Sequence, residues 1–131
     1  MQNSYLLGTR FERSKCNHVD FQHSLLIDAD FRNCSLEGAR FDHIFASRNL
    51  INEKNAAIFG VQGIKFQRAN LTNASFLHAQ VVGDFRGAIL NGVDFTGADL
   101  TGSCMSKRDM SLVSLDELQR QSIEWIEESV V

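Results

Sequence analysis

A chain of 131 residues has room for one domain, and its 44% hydrophobic and 22% charged residues without a single Pro exclude disorder, collagen and low-complexity linkers. No run approaches the ~18 consecutive apolar residues of a membrane span, and Met1–Ser4 lack the basic start of a signal peptide, so the expected location is cytoplasmic with no membrane contact. The charge is unevenly spread: residues 1–108 hold 12 Lys or Arg against 10 Asp or Glu, a net of +2, while residues 109–131 hold one Arg against six acids, a net of −5.

From the first residues onward the chain repeats with a period of five. Leu6, Phe11, Phe21, Leu26, Phe31, Leu36 and Phe41 lie on one five-residue grid, interrupted only by Cys16. Two residues before each stands a smaller partner, among them Ser14, Val19, Ser24, Ala29, Cys34 and Ala39. Five matches neither the 3.6 of a helix nor the 2 of a strand, so the chain must turn at every repeat. Alternation points the large residue and the one two before it to the same side, and four corners close a square. Each coil then takes 20 residues and stacks on the next at about 4.8 Å. The narrow interior holds one large side chain per side, and the second inward position must be small.

Between Phe41 and Phe66 the grid would place Asn49 and Lys54 inside, and a buried unpaired Lys costs several kcal/mol. The expectation is that the chain leaves the coil near 47–58 as a protruding loop and re-enters through Phe59, Val61, Ile64 and Phe66. The grid resumes at Phe66, Leu71, Phe76 and Val81, skips one residue, and continues at Phe85, Leu90, Phe95, Leu100 and Met105. Gly83 is expected to permit the tight corner of this four-residue step. After residue 112 the period changes. Ser114-Leu115-Asp116-Glu117 reads as a capping box, and Leu118, Ser122, Trp125 and Ile126 share a helical face. The expectation is a solenoid over 1–112 and an amphipathic helix over about Leu115 to Ser129 in a segment 113–131. That helix would cap the last coil or form a dimer contact.

Ala98-Asp99-Leu100-Thr101-Gly102, Ala69-Asn70-Leu71-Thr72-Asn73 and Ala29-Asp30-Phe31-Arg32-Asn33 resemble the repeat unit of pentapeptide-repeat proteins, and the likeness covers most of residues 4–105. The resemblance implies an all-β fold, a right-handed quadrilateral β-helix of roughly five coils and about 25 Å in height, here with a C-terminal α-helical cap.

No Walker loop, dinucleotide fingerprint or zinc-ligand cluster is present, so no catalytic, cofactor or metal residues are assigned. His23 and His43 stand 20 residues apart, which places them at one outward corner on neighbouring coils, too few ligands for a metal site. Cys16 and Cys34 fall on inward positions and read as core fillers, whereas Cys104 falls on an outward one. Stacking at 20 residues sets Arg10 beside Asp30 and Asp20 beside Arg40, and a 19-residue step sets Lys65 beside Asp84, so the walls mix their charges. The expected function is a non-enzymatic scaffold for an unidentified protein partner, contacted through Leu50 and Ile51 in the loop and Leu118, Trp125 and Ile126 in the tail. A homodimer through the helix or the open N-terminal end is the other assembly, and no direct nucleic-acid binding is expected because no basic, aromatic-interleaved patch stands out. Some members of the resembled family mimic DNA and protect type II topoisomerases such as gyrase from quinolones. That is the alternative reading here, weakened by acidity confined to the tail.

Overall fold

The computed structural model of the protein describes residues 9–26, 29–46 and 63–127. Within the repeats the chain executes one local move again and again. The carbonyl of a large inward residue accepts the amide three positions on, as Phe11 accepts from Ser14 (2.9 Å), Phe66 from Ala69 (3.0 Å) and Phe95 from Ala98 (2.9 Å). The third residue of the turn is left-handed, with φ of 63° at Arg13, 59° at Asn73 and 70° at Gly97, as a type II turn requires. Each turn redirects the chain to the next side of the square, which is why the period is five.

Coils stack in parallel and in register. Arg10 bridges Asp30, Lys15 bridges Ser35 and Asp20 bridges Arg40, the 20-residue step expected from four sides of five. The next step is different: Asp30 bridges Lys65, 35 positions on. The chain therefore spends three extra sides' worth of residues before it rejoins the stack. The expected loop at 47–58, with Leu50, Ile51 and Lys54, lies outside the described residues, as do Phe59 and Val61. On either side of it, β1 (Phe45–Ala46) pairs with β3 (Gln80–Val81), and β2 (Ile64–Lys65) begins a parallel sheet that runs through β4 (Gly83–Asp84), β5 (Cys104–Ser106) and β6 (Glu124–Ile126).

The interior is filled by two columns of phenylalanine on opposite sides of the square. Phe11, Phe31, Phe66 and Phe85 stack face to face at 4.8, 5.4 and 5.0 Å, and Phe21, Phe41, Phe76 and Phe95 at 5.1, 4.8 and 5.2 Å. The columns meet edge to face, as Phe31 meets Phe41 at 5.6 Å and 87°. Leu36, Leu71 and Leu90 line one remaining side, and Leu26, Val81 and Leu100 the other, all buried. The small inward positions Ala29, Ala39, Ala69, Ala74, Ala79 and Ala98 are buried beside them, as expected.

The 19-residue step is also as expected, with Ile64 opposite Gly83 and Lys65 opposite Asp84. Its reason differs. Gly83 sits in a strand and lacks a left-handed φ; what excludes a side chain is space, since a Cβ there would lie 2.9 Å from the Phe85 ring and 3.1 Å from Val81. The buried Ser103 hydroxyl completes the short side by donating to Val81 O and accepting from Gly83 N, both at 3.0 Å.

The C-terminal segment corrects the expected long helix. A 3-10 helix (Lys107–Ser111) and a short helix α1 (Glu117–Ser122) are followed by β6, so Trp125 and Ile126 belong to a strand. The capping box is Asp116 with Gln119 rather than Ser114 with Glu117: Asp116 accepts from Gln119 N (2.8 Å), and the Gln119 amide oxygen accepts from Asp116 N (3.0 Å). Gln119 also donates to Phe95 O (2.7 Å) and Ala98 O (3.0 Å), two carbonyls of the coil below that a carboxylate could not satisfy. The helix stops at Ser122 because the open edge of β5 offers a parallel partner. Cys104, Met105 and Ser106 pair with Glu124, Trp125 and Ile126. The cap is thus a last 20-residue coil whose sides are partly helical.

Candidate binding surfaces

With the interior filled, contact with other molecules falls to the walls, the corners and the cap. On one wall the bridging positions read Arg10, Asp30, Lys65 and Asp84 in ascending order, and on the opposite wall Asp20, Arg40, Ser75 and Asp94. The stacking of unlike charges is as expected, but the close ion pairs run along the chain. Arg32 grips Asp30 at 2.7 Å, Arg86 grips Asp84 at 2.7 Å and Arg40 reaches Asp42 at 3.2 Å. The Arg32 hydrogen bonds hold the Asp30 carboxyl below its ordinary range. At Asp84 burial is the largest single influence and pushes the other way, yet the hydrogen bonds from Arg86 and Cys104 and the Arg86 charge together outweigh it and the carboxyl again ends low.

At the cap, the sequence singled out Leu118, Trp125 and Ile126, and the fold separates them. Leu118 on α1 is 79% exposed. Trp125 is half-buried against the core and donates its indole N–H to Arg120 O (3.0 Å), which makes it a packing residue. Ile126 is half-buried in β6. Leu112, 72% exposed just beyond the 3-10 helix, was not singled out. Its signal was available, since it lies off the five-residue grid and outside any strand.

The corners hold a feature only half visible in sequence. His23 and His43 stack at 4.9 Å with rings 3° from parallel, and His78 continues the column at 5.4 Å from His43. The extra residues before Lys65 hid His78 from 20-residue counting. Parallel stacked rings do not converge their nitrogens, and no group of three or more His, Cys, Asp or Glu among the described residues could hold a metal. Eight repeats matching the profile of the family described as pentapeptide repeats occupy residues 4–42 and 84–116, more than half of the chain.

The chain belongs to the pentapeptide-repeat family. Its β-helix is accordingly right-handed and quadrilateral. Similar solved pentapeptide-repeat structures include Rfr23 of the cyanobacterium Cyanothece 51142, at 20% identity over 96% of this chain and 63% of that one, with a TM-score of 0.35. HetL of Nostoc sp. strain PCC 7120, involved in heterocyst differentiation regulation, is 22% identical over 77% of this chain and 51% of its own, with a TM-score of 0.38. QnrB1, a plasmid-mediated fluoroquinolone resistance protein, is 16% identical over 80% of this chain and 70% of its own, with a TM-score of 0.30. This chain spans about half to two-thirds of the length of Rfr23 and HetL. No protein of curated function matches it.

Within this pentapeptide-repeat chain the thiols behave as their positions dictate. Cys16 and Cys34 are buried fillers, and Cys34 donates to Phe11 O. Cys104, on an outward position, is half-buried opposite Asp84. Burial first, and then the neighbouring carboxylate, push its thiol up to about 12, so it is the reverse of an activated nucleophile. Among the described residues no helix is long and apolar enough to cross a membrane.

Proposed function

We propose that this pentapeptide-repeat protein is a non-enzymatic scaffold that binds another protein, with the cap as its main contact. One observation carries the reading. Leu112 and Leu118 are more than two-thirds exposed on a cap whose Val113 and Ile123 turn inward and whose Met110 is 37% exposed. Leucines this exposed, beyond Ile89 at 47% on a wall, suit a partner's apolar patch. Leu50 and Ile51 are the second contact in this reading. The three unpaired thiols support a reducing, cytoplasmic setting.

The test is a photo-crosslinking residue at position 118, expressed in native cells. The scaffold reading expects one covalent adduct of defined mass, lost in L112S/L118S while the melting temperature stays put, because exposed side chains contribute little to stability. An adduct of twice the chain mass would identify the homodimer instead. Alternating wall charges disfavour the DNA-mimic reading, since a topoisomerase's DNA channel selects a continuous negative stripe. Titrating the protein into a gyrase supercoiling assay with a fluoroquinolone is therefore expected to give no relief of inhibition. Restored supercoiling would replace the scaffold with the mimic.

A further inference from the structure

One corner of the solenoid is built unlike the others. A groove of about 640 Å³ runs up it, and four arginines line it: Arg13, Arg32, Arg68 and Arg86. They arrive one per coil. Arg13 and Arg68 occupy the left-handed turn position of the first and third coils, and Arg32 and Arg86 the position before it in the second and fourth. With coils about 4.8 Å apart, the groove is a zigzag of guanidinium groups roughly 14 Å long.

Two of the four are locked in the same pose. Arg32 binds Asp30 through Nε (2.9 and 3.1 Å) and Nη2 (2.7 Å), and Arg86 binds Asp84 with the same three distances. Each pair uses the Nε–Nη2 edge of the fork; the Nη1–Nη2 edge is the second bidentate face of a guanidinium. The other two are held in place at a conformational cost. Arg13 and Arg68 adopt φ of 63° and 61°, a region that a β-carbon disfavours by roughly 1–2 kcal/mol, and neither pairs with a carboxylate among the described residues. Gly87, on the coil above Arg68, keeps the groove open: a Cβ there would sit 3.3 Å from the Arg68 Cγ. The one carboxylate in the lining, Glu12, is 3.7 Å from Arg32 Nη2, and Lys65 adds positive charge on the adjoining wall beside Asp30.

We infer that this corner is a binding site for a linear oligophosphate, gripped by Arg13, Arg32, Arg68 and Arg86 in succession. Guanidinium forks match phosphate oxygens bidentately, and a row of them matches a chain of phosphates better than a single one. No aromatic residue lines the groove, so nothing stacks a base, and single-stranded nucleic acid is disfavoured. Carboxylates on one face of an extended peptide recur at about 6.6–6.8 Å, a poor match to a guanidinium on every coil.

Isothermal titration of the intact protein with sodium tripolyphosphate at about 0.15 M salt tests the site. The expected result is saturable binding at one site per chain, with orthophosphate at least tenfold weaker. R13S/R68S is expected to lose at least tenfold in affinity with an unchanged far-ultraviolet spectrum, and K15S on the neighbouring wall to lose none. Absence of binding, equal binding by R13S/R68S, or equal affinity for a poly-glutamate peptide of matched charge would each overturn the proposal, the last by assigning the groove to acidic peptides.

Discussion

The coils before the short side at Gly83 and those after it share a core and differ at their corners. Among the described residues from 13 to 78 the left-handed positions are Arg13, His18, His23, Asn33, His43, Arg68, Asn73 and His78, with Gly38 the one glycine; from 87 onward they are Gly87, Gly92, Gly97 and Gly102. A β-carbon in this conformation costs roughly 1–2 kcal/mol, with Asn least penalised, so the earlier coils hold strain that the later ones avoid. The glycines are also needed for space. A Cβ at Gly92 would run into the Asn73 amide, one at Gly97 into the His78 ring, and one at Gly38 into the His18 ring. At these corners the side chain leans onto the coil above, which answers with a glycine; the His23–His43–His78 column answers with another flat ring, and the Arg13–Asn33–Arg68 corner with another polar side chain. The difference teaches that the core sets the fold while the corners are free to carry chemistry, provided neighbouring coils agree.

The largest expected effect would break the comparison by showing that the cores are not equivalent. Phe31→Ala and Phe95→Ala each remove a fully buried ring from a stacked column, and both are expected to cost about 3–5 kcal/mol in urea unfolding. Ala74→Leu, which overfills a small inward position, is expected to cost about 1–3 kcal/mol. A loss confined to one half of the solenoid would mean that the two regions pack differently.

Corner exchanges sharpen the comparison because their signs oppose. Gly97→Ala meets both a φ of 70° and the His78 ring, and is expected to cost about 1–2 kcal/mol. Asn33→Gly relieves φ at 59° and is expected to be neutral or to add up to about 0.5 kcal/mol, the gain limited by the freer unfolded chain. Equal destabilisation by both would contradict the strain argument.

The smallest effect is in acid. Asp30 is held low by the Arg32 hydrogen bonds and Asp94 by those from Thr96, so each folded carboxyl binds its proton less tightly than in the unfolded chain. Their contribution is complete above the unfolded value near 3.8 and is lost as pH falls through the lower folded values. Melting temperature is expected to drop below about pH 4 and to drop less steeply in Asp30→Asn. Asp94→Asn, at an exposed site, is expected to change the acid limb less.

Most of this architecture was legible because the interior is so narrow that every inward residue is constrained in size. Phe, Leu and Ala therefore declare their positions, and even the 19-residue step could be counted. What escaped the sequence followed from competing patterns. Trp125 and Ile126 satisfy a helical face, yet Met105, Met110, Leu115, Arg120 and Trp125 also continue the five-residue grid, and the open edge of β5 decided for the strand. The capping box shifted to Asp116 because Gln119 had carbonyls of Phe95 and Ala98 to satisfy, a long-range demand that a local motif does not show. The arginine groove was hidden for a related reason: its members alternate between two turn positions and lie 19, 36 and 18 residues apart, so 20-residue counting aligns none of them. The contact reading rested on hydrophobicity alone, which cannot separate an exposed Leu118 from a packed Trp125.

The central claim is that the five-residue register, rather than the intervening segment, specifies the stack. Excising residues 48–62 would join residue 47 to Gly63 and leave four residues between Ala46 and Phe66, the spacing of an ordinary side, with Gly63 at the left-handed corner. The pairing of Asp30 with Lys65 would become a 20-residue step. Thermal unfolding of this variant, followed by circular dichroism, is the direct measurement. The account predicts a single cooperative transition with the β-solenoid spectrum retained; loss of the cooperative transition would show that the excised segment builds the coil and would contradict it.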